Sequence, residues 1–599
     1  MAELSHSRNL TEVTLPGGAA LQEWMANAAA FCARWFPYLY LATAGVFALA
    51  LCFINPPLEV PDEPHHFFKA CQISYLDFRP HFQAGMPGAG AILPVAVNDF
   101  AVDQLSPEFR TGNFGSPFAR FAKIRAKART QTSPRKFGFI PFADEMIYNP
   151  IYYVPQAAGI ALARFFSPHV YTWFYAARLM NALCAVLLVF AALLLSRAQQ
   201  VILATVAILP MCLTQMASVS PDACLIGGSI LFVSLCLRLR DRGGRVVEWI
   251  CLALGIWLML GRPVLFPAAL LPLVAGRRIG NRKALGLCFA MWVIAGGISL
   301  LWAHEVADVF PPVAASWHSD PAQQIHYLES SPFHLGAILA NTVVKDSQLL
   351  SVELVGMLGW LSLRLPRWYY EFYADAAFVI LLLFLSLRRI FSWSGLIVIA
   401  AALASIGAVL VSIYVLFSPP GSPAVENLQG RYFIPTLAFL ALLCHNQIRE
   451  RSWQFAGACA LWVVVLGTTL TVSAQTIEGR YYITGQPFCA TIPRGNVDEP
   501  PAGAKAGNQL SVRGWAAAPE KIARISIFVD GALTQTLAPN APRPDVDSSF
   551  PDSPDKNKGW SATLDLSNVK LGQHEIIVQA VTANGCEGTL GDFPVDRVR

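Results

Sequence analysis

Residues 36–67 read FPYLYLATAGVFALALCFINPPLEVPDEPHHF. The first part, 36–54, carries no charged side chain and is long enough as a helix to cross ~30 Å of hydrocarbon. Directly after it, Pro61-Asp62-Glu63-Pro64-His65-His66 brings two acids and two imidazoles to the end of that apolar block. Pro64 suits the first turn of a helix, and Asp62 or Glu63 suits its cap. Phe67, Phe68, Cys71, Tyr75 and Phe78 then recur at helical spacing, as in an amphipathic helix lying on a membrane.

Composition extends this reading to the whole chain. Of 599 residues, 54% are hydrophobic and 14% charged, against about 25% charged in a soluble globular chain. Apolar blocks recur near 36–54, 171–196, 199–217, 221–238, 247–260, 263–276, 284–303, 371–388, 394–417, 431–446 and 454–474. Lipid cannot pair an exposed backbone N–H or C=O, so such blocks are read as helices. The expected architecture is a polytopic α-helical membrane protein of about eleven spans. Segments 148–166 and 334–361 are ambiguous, because each contains Pro or charged residues. The first block has no small-x-small cleavage site behind it and reads as an uncleaved span. Residues 1–35 form an N-terminal segment, and 36–475 form the membrane module.

Arginine and lysine in short loops orient such a chain, because they stay cytoplasmic. Arg238, Arg240, Arg242 and Arg245, then Arg277, Arg278, Arg282 and Lys283, then Arg388 and Arg389, then Arg449 and Arg451 fall in one set of loops. The opposite short loops, 218–221 and 418–430, contain neither residue type. Eleven spans then put the N-terminus in the cytoplasm. The 55–147 loop, the 304–370 loop and the tail face outward. The net charge of +5 is small for this length, and nucleic acid is not an expected partner.

The tail, 480–599, is polar and rich in Gly, Pro and Asp. Alternating runs at Ile525–Val529, Ala562–Leu566 and Glu575–Ala580 lie between turn signals (Asp530-Gly531, Leu571-Gly572, Asn584-Gly585). This is the pattern of an all-β sandwich. Trp515 and Trp560 are either core residues there or platforms for sugar. Cys489 and Cys586 can pair if the tail meets an oxidising compartment.

Several clusters can do chemistry. A carboxylate of Asp62 or Glu63 can take a proton from an acceptor hydroxyl, or merely complement a helix dipole. A divalent metal held by Asp62, Glu63 and His66, with or without His65, is a further option. Arg431, in Gln429-Gly430-Arg431-Tyr432-Phe433, lies where an apolar helix begins. It suits bidentate grip of a lipid-linked phosphate, or it snorkels, or it pairs with Glu426. Asp222 caps or serves the helix after Ser220-Pro221. Tyr148, Arg262 and Lys345 are less specific cavity-lining candidates, and Arg178 and Asn181 stand one turn apart inside a span. No phosphate-binding glycine loop, GxSxG elbow or HExxH helix is present.

VPDEPHHF, YNPIYYVPQA (148–157), SPDA (220–223), GMLGWLSLRLP (356–366) and QGRYFIP (429–435), in this order, resemble a family of predicted bacterial membrane proteins of unknown function. That family in turn resembles the GT-C superfamily of membrane glycosyltransferases. The resemblance implies inverting transfer of a sugar from a polyprenyl-phosphate-linked donor to a lipid or glycan acceptor, on the outer face of the bacterial cytoplasmic membrane. It makes Asp62 or Glu63 the general base and Arg431, with Gln429 and Tyr432 beside it, the donor-phosphate site. His65, His66, Tyr148, Asp222, Arg262 and Lys345 would help bind substrate. A doubled His stands where GT-C members more often carry a smaller residue. A transporter or flippase of a lipid-linked glycan, or a glycan polymerase or ligase, are the rival readings.

Overall fold

Among the residues described by the computed structural model, six helices are long and apolar enough to cross a membrane: Glu23–Ile54, Val170–Leu195, Asp222–Asp241, Asn281–Glu305, Trp393–Phe417 and Ser452–Tyr482. The structure describes residues 18–598 apart from 87, 107–108, 110–113, 129–133, 331, 446–447, 449–450, 484–492, 502, 548–549, 551–552 and 584. Of the residues singled out above, Arg449, Cys489 and Asn584 lie outside that set. Two compact units result. One comprises Met1–Ala101 with Pro117–Ile477, the other Val102–Ser116 with Glu478–Arg599.

The six spans correspond to six of the eleven expected blocks. The first helix begins at Gly18, well before its apolar block, and passes through a short π segment at Leu41–Gly45. The remaining blocks take other forms. Block 199–217 breaks into Gln200–Ala207 and Pro210–Met216. Pro210 has no N–H to give and its ring opposes a continuing helix, so a new helix starts there. Block 263–276 is a 3-10 helix, Pro263–Ala275, with Pro267 and Pro272 inside. Block 431–446 is a run of short turns, Gly430–Phe433, Ile434–Leu437 and Ala438–Leu443. Irregular backbone at membrane depth is tolerated where protein surrounds it, and every residue of the two 199–217 pieces is buried. Blocks 247–260 and 371–388 are helices Arg245–Gly261 and Arg367–Phe384.

Of the ambiguous segments, 148–166 forms a 3-10 turn, Pro150–Tyr153, and the helix Val154–Phe166. Thirteen residues reach about 20 Å as helix, short of a full crossing. Segment 334–361 is mostly the helix Pro332–Gly356 with a two-residue hairpin after it.

Burial separates the spans by role. Asp222–Asp241 is the most enclosed, with 89% of its apolar window buried. Gly227 lets it approach Val170–Leu195 closely: a Cβ there would stand 2.9 Å from the carbonyl oxygen of Ala185. Small residues serve this purpose in membrane helices, where close approach replaces a hydrophobic drive. Asn281–Glu305 and Trp393–Phe417 are only 22% buried and turn Phe289, Leu300, Leu301 and Leu403 outward.

The Glu63–Ser74 helix departs from expectation. Phe67, Phe68 and Cys71 are buried, and so are His66, Lys69 and Gln72 on its other faces. Apart from His65 it is enclosed, and it is not an amphipathic helix lying on a surface. Past its end, Tyr75, Leu76 and Phe78 are exposed.

The C-terminal region is β-rich. One sheet orders Gly559–Asp565, Gln509–Ala517 and Arg494–Glu499, all antiparallel. A second orders Ala504–Ala506, Glu587–Arg597, Gly572–Thr582, Ile522–Val529 and Ala532–Leu537, antiparallel except for its first pair. Val512, Leu564, Ile525, Ile527, Ile576, Val578 and Val595 fill one core shared by both sheets. Trp560 belongs to that core at 1% exposure, so it is no sugar platform. Trp515 is half-buried against Phe550. Cys586 is disulfide-bonded.

Candidate functional site

The loop after the first span carries Asp62 at the N-cap position of the Glu63–Ser74 helix, with φ of 62°. Few residues other than Gly adopt this left-handed geometry, Asp being among the more tolerant. Its carboxylate makes no capping bond. It instead accepts a hydrogen bond from Nη2 of Arg431 at 3.0 Å, while the side chain stays 45% exposed.

Glu63 points the opposite way and is fully enclosed. Its Oε1 accepts from Nε of Arg178 at 2.8 Å and from the Val219 N–H at 3.0 Å. Its Oε2 accepts from Nη2 of Arg178 at 2.6 Å. Arg178 also donates to the carbonyls of Cys52, Asn55 and Pro56. A buried charge is tolerated only when paired and hydrogen-bonded, and both members meet that condition. The two neighbouring acids thus divide: Glu63 ties the loop to the span Val170–Leu195, and Asp62 faces the open side.

Arg431 is buried at 6% exposure. Its Nε lies 4.0 Å from Oδ2 of Asp222 without hydrogen-bond geometry, and neither Nε nor Nη1 has a hydrogen-bond partner. Glu426, the partner weighed from sequence, accepts from the Ser422 hydroxyl instead. Asp222, at the start of the most enclosed span, takes Nη2 of Arg262 at 2.5 Å. The side chains therefore alternate in sign: Asp62, Arg431, Asp222, Arg262. Both guanidinium groups flank the Tyr432 ring, at 4.9 Å for Arg262 and 5.5 Å for Arg431. Asp222, Arg262, Arg431 and Tyr432 line one cavity together with Gln215 and the apolar Leu225, Ile226, Val264, Leu265 and Pro435.

The histidines flank this cluster on separate partners. Nδ1 of His66 meets the Tyr153 hydroxyl at 2.8 Å, and its ring lies 6.1 Å from Tyr148. Burial lowers the pKa of His66 to about 4. Nδ1 of His65 lies 3.1 Å from Oε2 of Glu145. Burial raises the Glu145 carboxyl to about 7. Burial opposes charge on His65 too, but the adjoining Glu145 outweighs it and raises its pKa. Asp62, Glu63, His65 and His66 thus turn to four different partners. Among the described residues, no group of three or more His, Cys, Asp or Glu side chains converges as a metal site.

Two contacts set the register of these segments. Oε2 of Glu353, in the Pro332–Gly356 helix, accepts the Gly430 N–H at 2.7 Å. Burial raises the Glu353 pKa. The Trp360 indole N–H reaches the Leu58 carbonyl at 2.9 Å. Gln429 is half-buried, with its Oε1 unbonded. Lys345 is exposed beside Asp346 and does not join the cluster. Nothing in the sequence marks Glu145 or Lys69 as site residues, whereas Tyr153 and Glu353 stand among its weaker cavity-lining candidates. Lys69 is buried, donates to Sδ of Met146, and has its pKa lowered to about 7 by burial. Arg178 does stand out in the sequence, because a charge inside an apolar span signals a counter-ion nearby.

Among the described residues, six helices long and apolar enough to span, some of them turning apolar side chains outward, make this a multi-pass membrane protein. The chain belongs to the predicted membrane protein family DUF2142, whose model matches residues 46–440. No curated protein matches it. Among solved structures, it is similar to the X-ray structure of the endo-beta-1,4-mannanase from Thermotoga petrophila, at 10% identity and a TM-score of 0.14. That match covers 22% of this chain and 24% of the enzyme, so the chain spans about a quarter of the enzyme's length. So low a score carries no argument about fold or function.

Proposed function

We propose that the protein is a membrane glycosyltransferase of GT-C type, using a polyprenyl-phosphate-linked sugar on the outer face of the cytoplasmic membrane. The observation that carries this is the pairing of a part-exposed carboxylate, Asp62, with a buried Arg431 that keeps two donors unfilled beside a cavity. In this reading the acceptor hydroxyl loses its proton to Asp62. Its oxygen attacks the anomeric carbon from the face opposite the phosphate. The bond from that carbon to the phosphate oxygen breaks, and polyprenyl phosphate departs with the electron pair. Nε and Nη1 of Arg431 hold the leaving phosphate, and Arg262 adds positive charge. A guanidinium fork fits such oxygens bidentately, and charge stabilisation at the leaving group strengthens as it forms. Glu63 holds the loop that presents Asp62.

The helix broken at Pro210 favours a second reading, a transporter of lipid-linked glycan. Purified protein given polyprenyl-phosphate-linked sugars and glycan acceptors separates the two. Asp62→Asn is expected to fold, bind the donor and lose transfer by ~100-fold or more. Full transfer by that variant would remove Asp62 from the mechanism. Movement of the lipid between leaflets without any glycosidic product would favour transport.

A further inference from the structure

The segment between residues 110 and 136 contains eight Lys or Arg and no Asp or Glu. At its centre is the helix Pro117–Lys127, PFARFAKIRAK, with Arg125 and Lys127 in its last turn. One side of the helix buries Arg120 and Ile124. The other exposes Phe118, at 87%, with Ala122, Arg125, Ala126 and Lys127. An exposed phenylalanine next to several cations is unfavourable in water, where its apolar surface stays hydrated. At a bilayer surface the same arrangement is favourable: the ring enters the acyl boundary and the cations meet phosphates.

The placement of the helix agrees. Phe121 packs edge-on against Tyr171 at 5.9 Å and Tyr175 at 5.5 Å. Both tyrosines lie in the first two turns of the span Val170–Leu195. The helix is thereby fixed at the level where that span enters the membrane. Phe165 and Phe166, just before the span, are 86% and 81% exposed. They add bulky apolar side chains close to the same span end.

We infer that Pro117–Lys127 is an interfacial helix that docks on anionic phospholipid headgroups. The charge complementarity commits it to acidic rather than zwitterionic lipid. Each basic side chain near such a surface adds to the attraction. This inference is independent of the glycosyltransferase reading.

Hydrogen–deuterium exchange on the full-length protein in nanodiscs tests it. Discs of phosphatidylglycerol are compared with discs of phosphatidylcholine. Amides of residues 117–127 are expected to exchange roughly tenfold more slowly in phosphatidylglycerol. High salt should erase much of the difference. The triple variant Lys123→Gln, Arg125→Gln, Lys127→Gln should abolish it, while exchange in the other spans stays unchanged. Equal exchange in the two lipids overturns the inference. So does slowing that appears only when polyprenyl phosphate is added, because the partner would then be a substrate and not the bilayer. The lipid comparison needs only the natural chain, so a misfolded variant would not spoil it.

Discussion

Glu63 and Arg178 are both at zero side-chain exposure and share two hydrogen bonds. Removing one member of such a pair leaves a bare charge in a low-dielectric interior, at about 3–5 kcal/mol. Glu63→Gln is therefore expected to lower the thermal midpoint in detergent sharply, whereas Asp62→Asn should leave it nearly unchanged. A melting scan of the two variants checks this, and equal midpoints would contradict the division of labour between the two acids. His66 supplies a pH signature. Its pKa falls from 6.5 to about 4 in the folded chain. Between those values the unfolded chain binds more protons, so stability rises with pH and is lost as pH falls from 6.5 toward 4. The shift corresponds to about 3 kcal/mol. His66→Gln should flatten that part of the stability profile, as followed by melting at stepped pH; an unaltered acid limb would refute the assignment.

At the scale of elements, a turn delivers Arg431. Gly430 lies so close to the Pro332–Gly356 helix that a Cβ would stand 2.0 Å from the Leu350 carbonyl oxygen and 2.6 Å from the Leu354 nitrogen. Its N–H is meanwhile held by Glu353. Gly430→Ala must push the turn away, shifting the guanidinium from Asp62. Donor-lipid binding should weaken at least ~10-fold, since a misplaced charged contact of about 1.5–3 kcal/mol is lost. A binding titration with the purified variant would show this; unchanged affinity would mean the turn has slack that its backbone contacts do not suggest. The short pieces Gln200–Ala207 and Pro210–Met216 illustrate the same principle. They bring Gln215 to the cavity because Pro210 ends one helix and starts another.

At the scale of the whole molecule, six helices among the described residues meet the length and composition of a span. The basic short loops argue for a cytoplasmic N-terminus and an outward tail. Reporter fusions test that orientation. Alkaline phosphatase joined after Arg599 should be active, since the β-rich region would lie outside, and the same reporter placed after Arg242 should be silent. The opposite pattern would invert the topology and move Asp62 to the cytoplasmic face. It would also remove the outer-face chemistry proposed here.

Composition and block length by themselves determined that the chain lives in a membrane, because charge depletion over long runs leaves no other solvent for it. Alternation in the tail determined its strands: Ile525–Val529 lies within Ile522–Val529, and Glu575–Ala580 within Gly572–Thr582. The sequence also singled out the residues that meet in and beside the cavity, Asp62, Asp222 and Arg431 within the motif string and Arg262 outside it, though not that they meet. Hydropathy could not separate a span from a buried broken helix, since both are apolar; proline and packing made that difference. Nor could spacing distinguish Asp62 from Glu63. Adjacent residues at a helix start point in different directions, and which one finds a buried arginine depends on what the fold places on each side. Tertiary structure alone decided that Glu63 faces Arg178 from a distant helix and that Asp62 faces Arg431. Charges find their partners in space, and no local pattern records which distant segment will supply them.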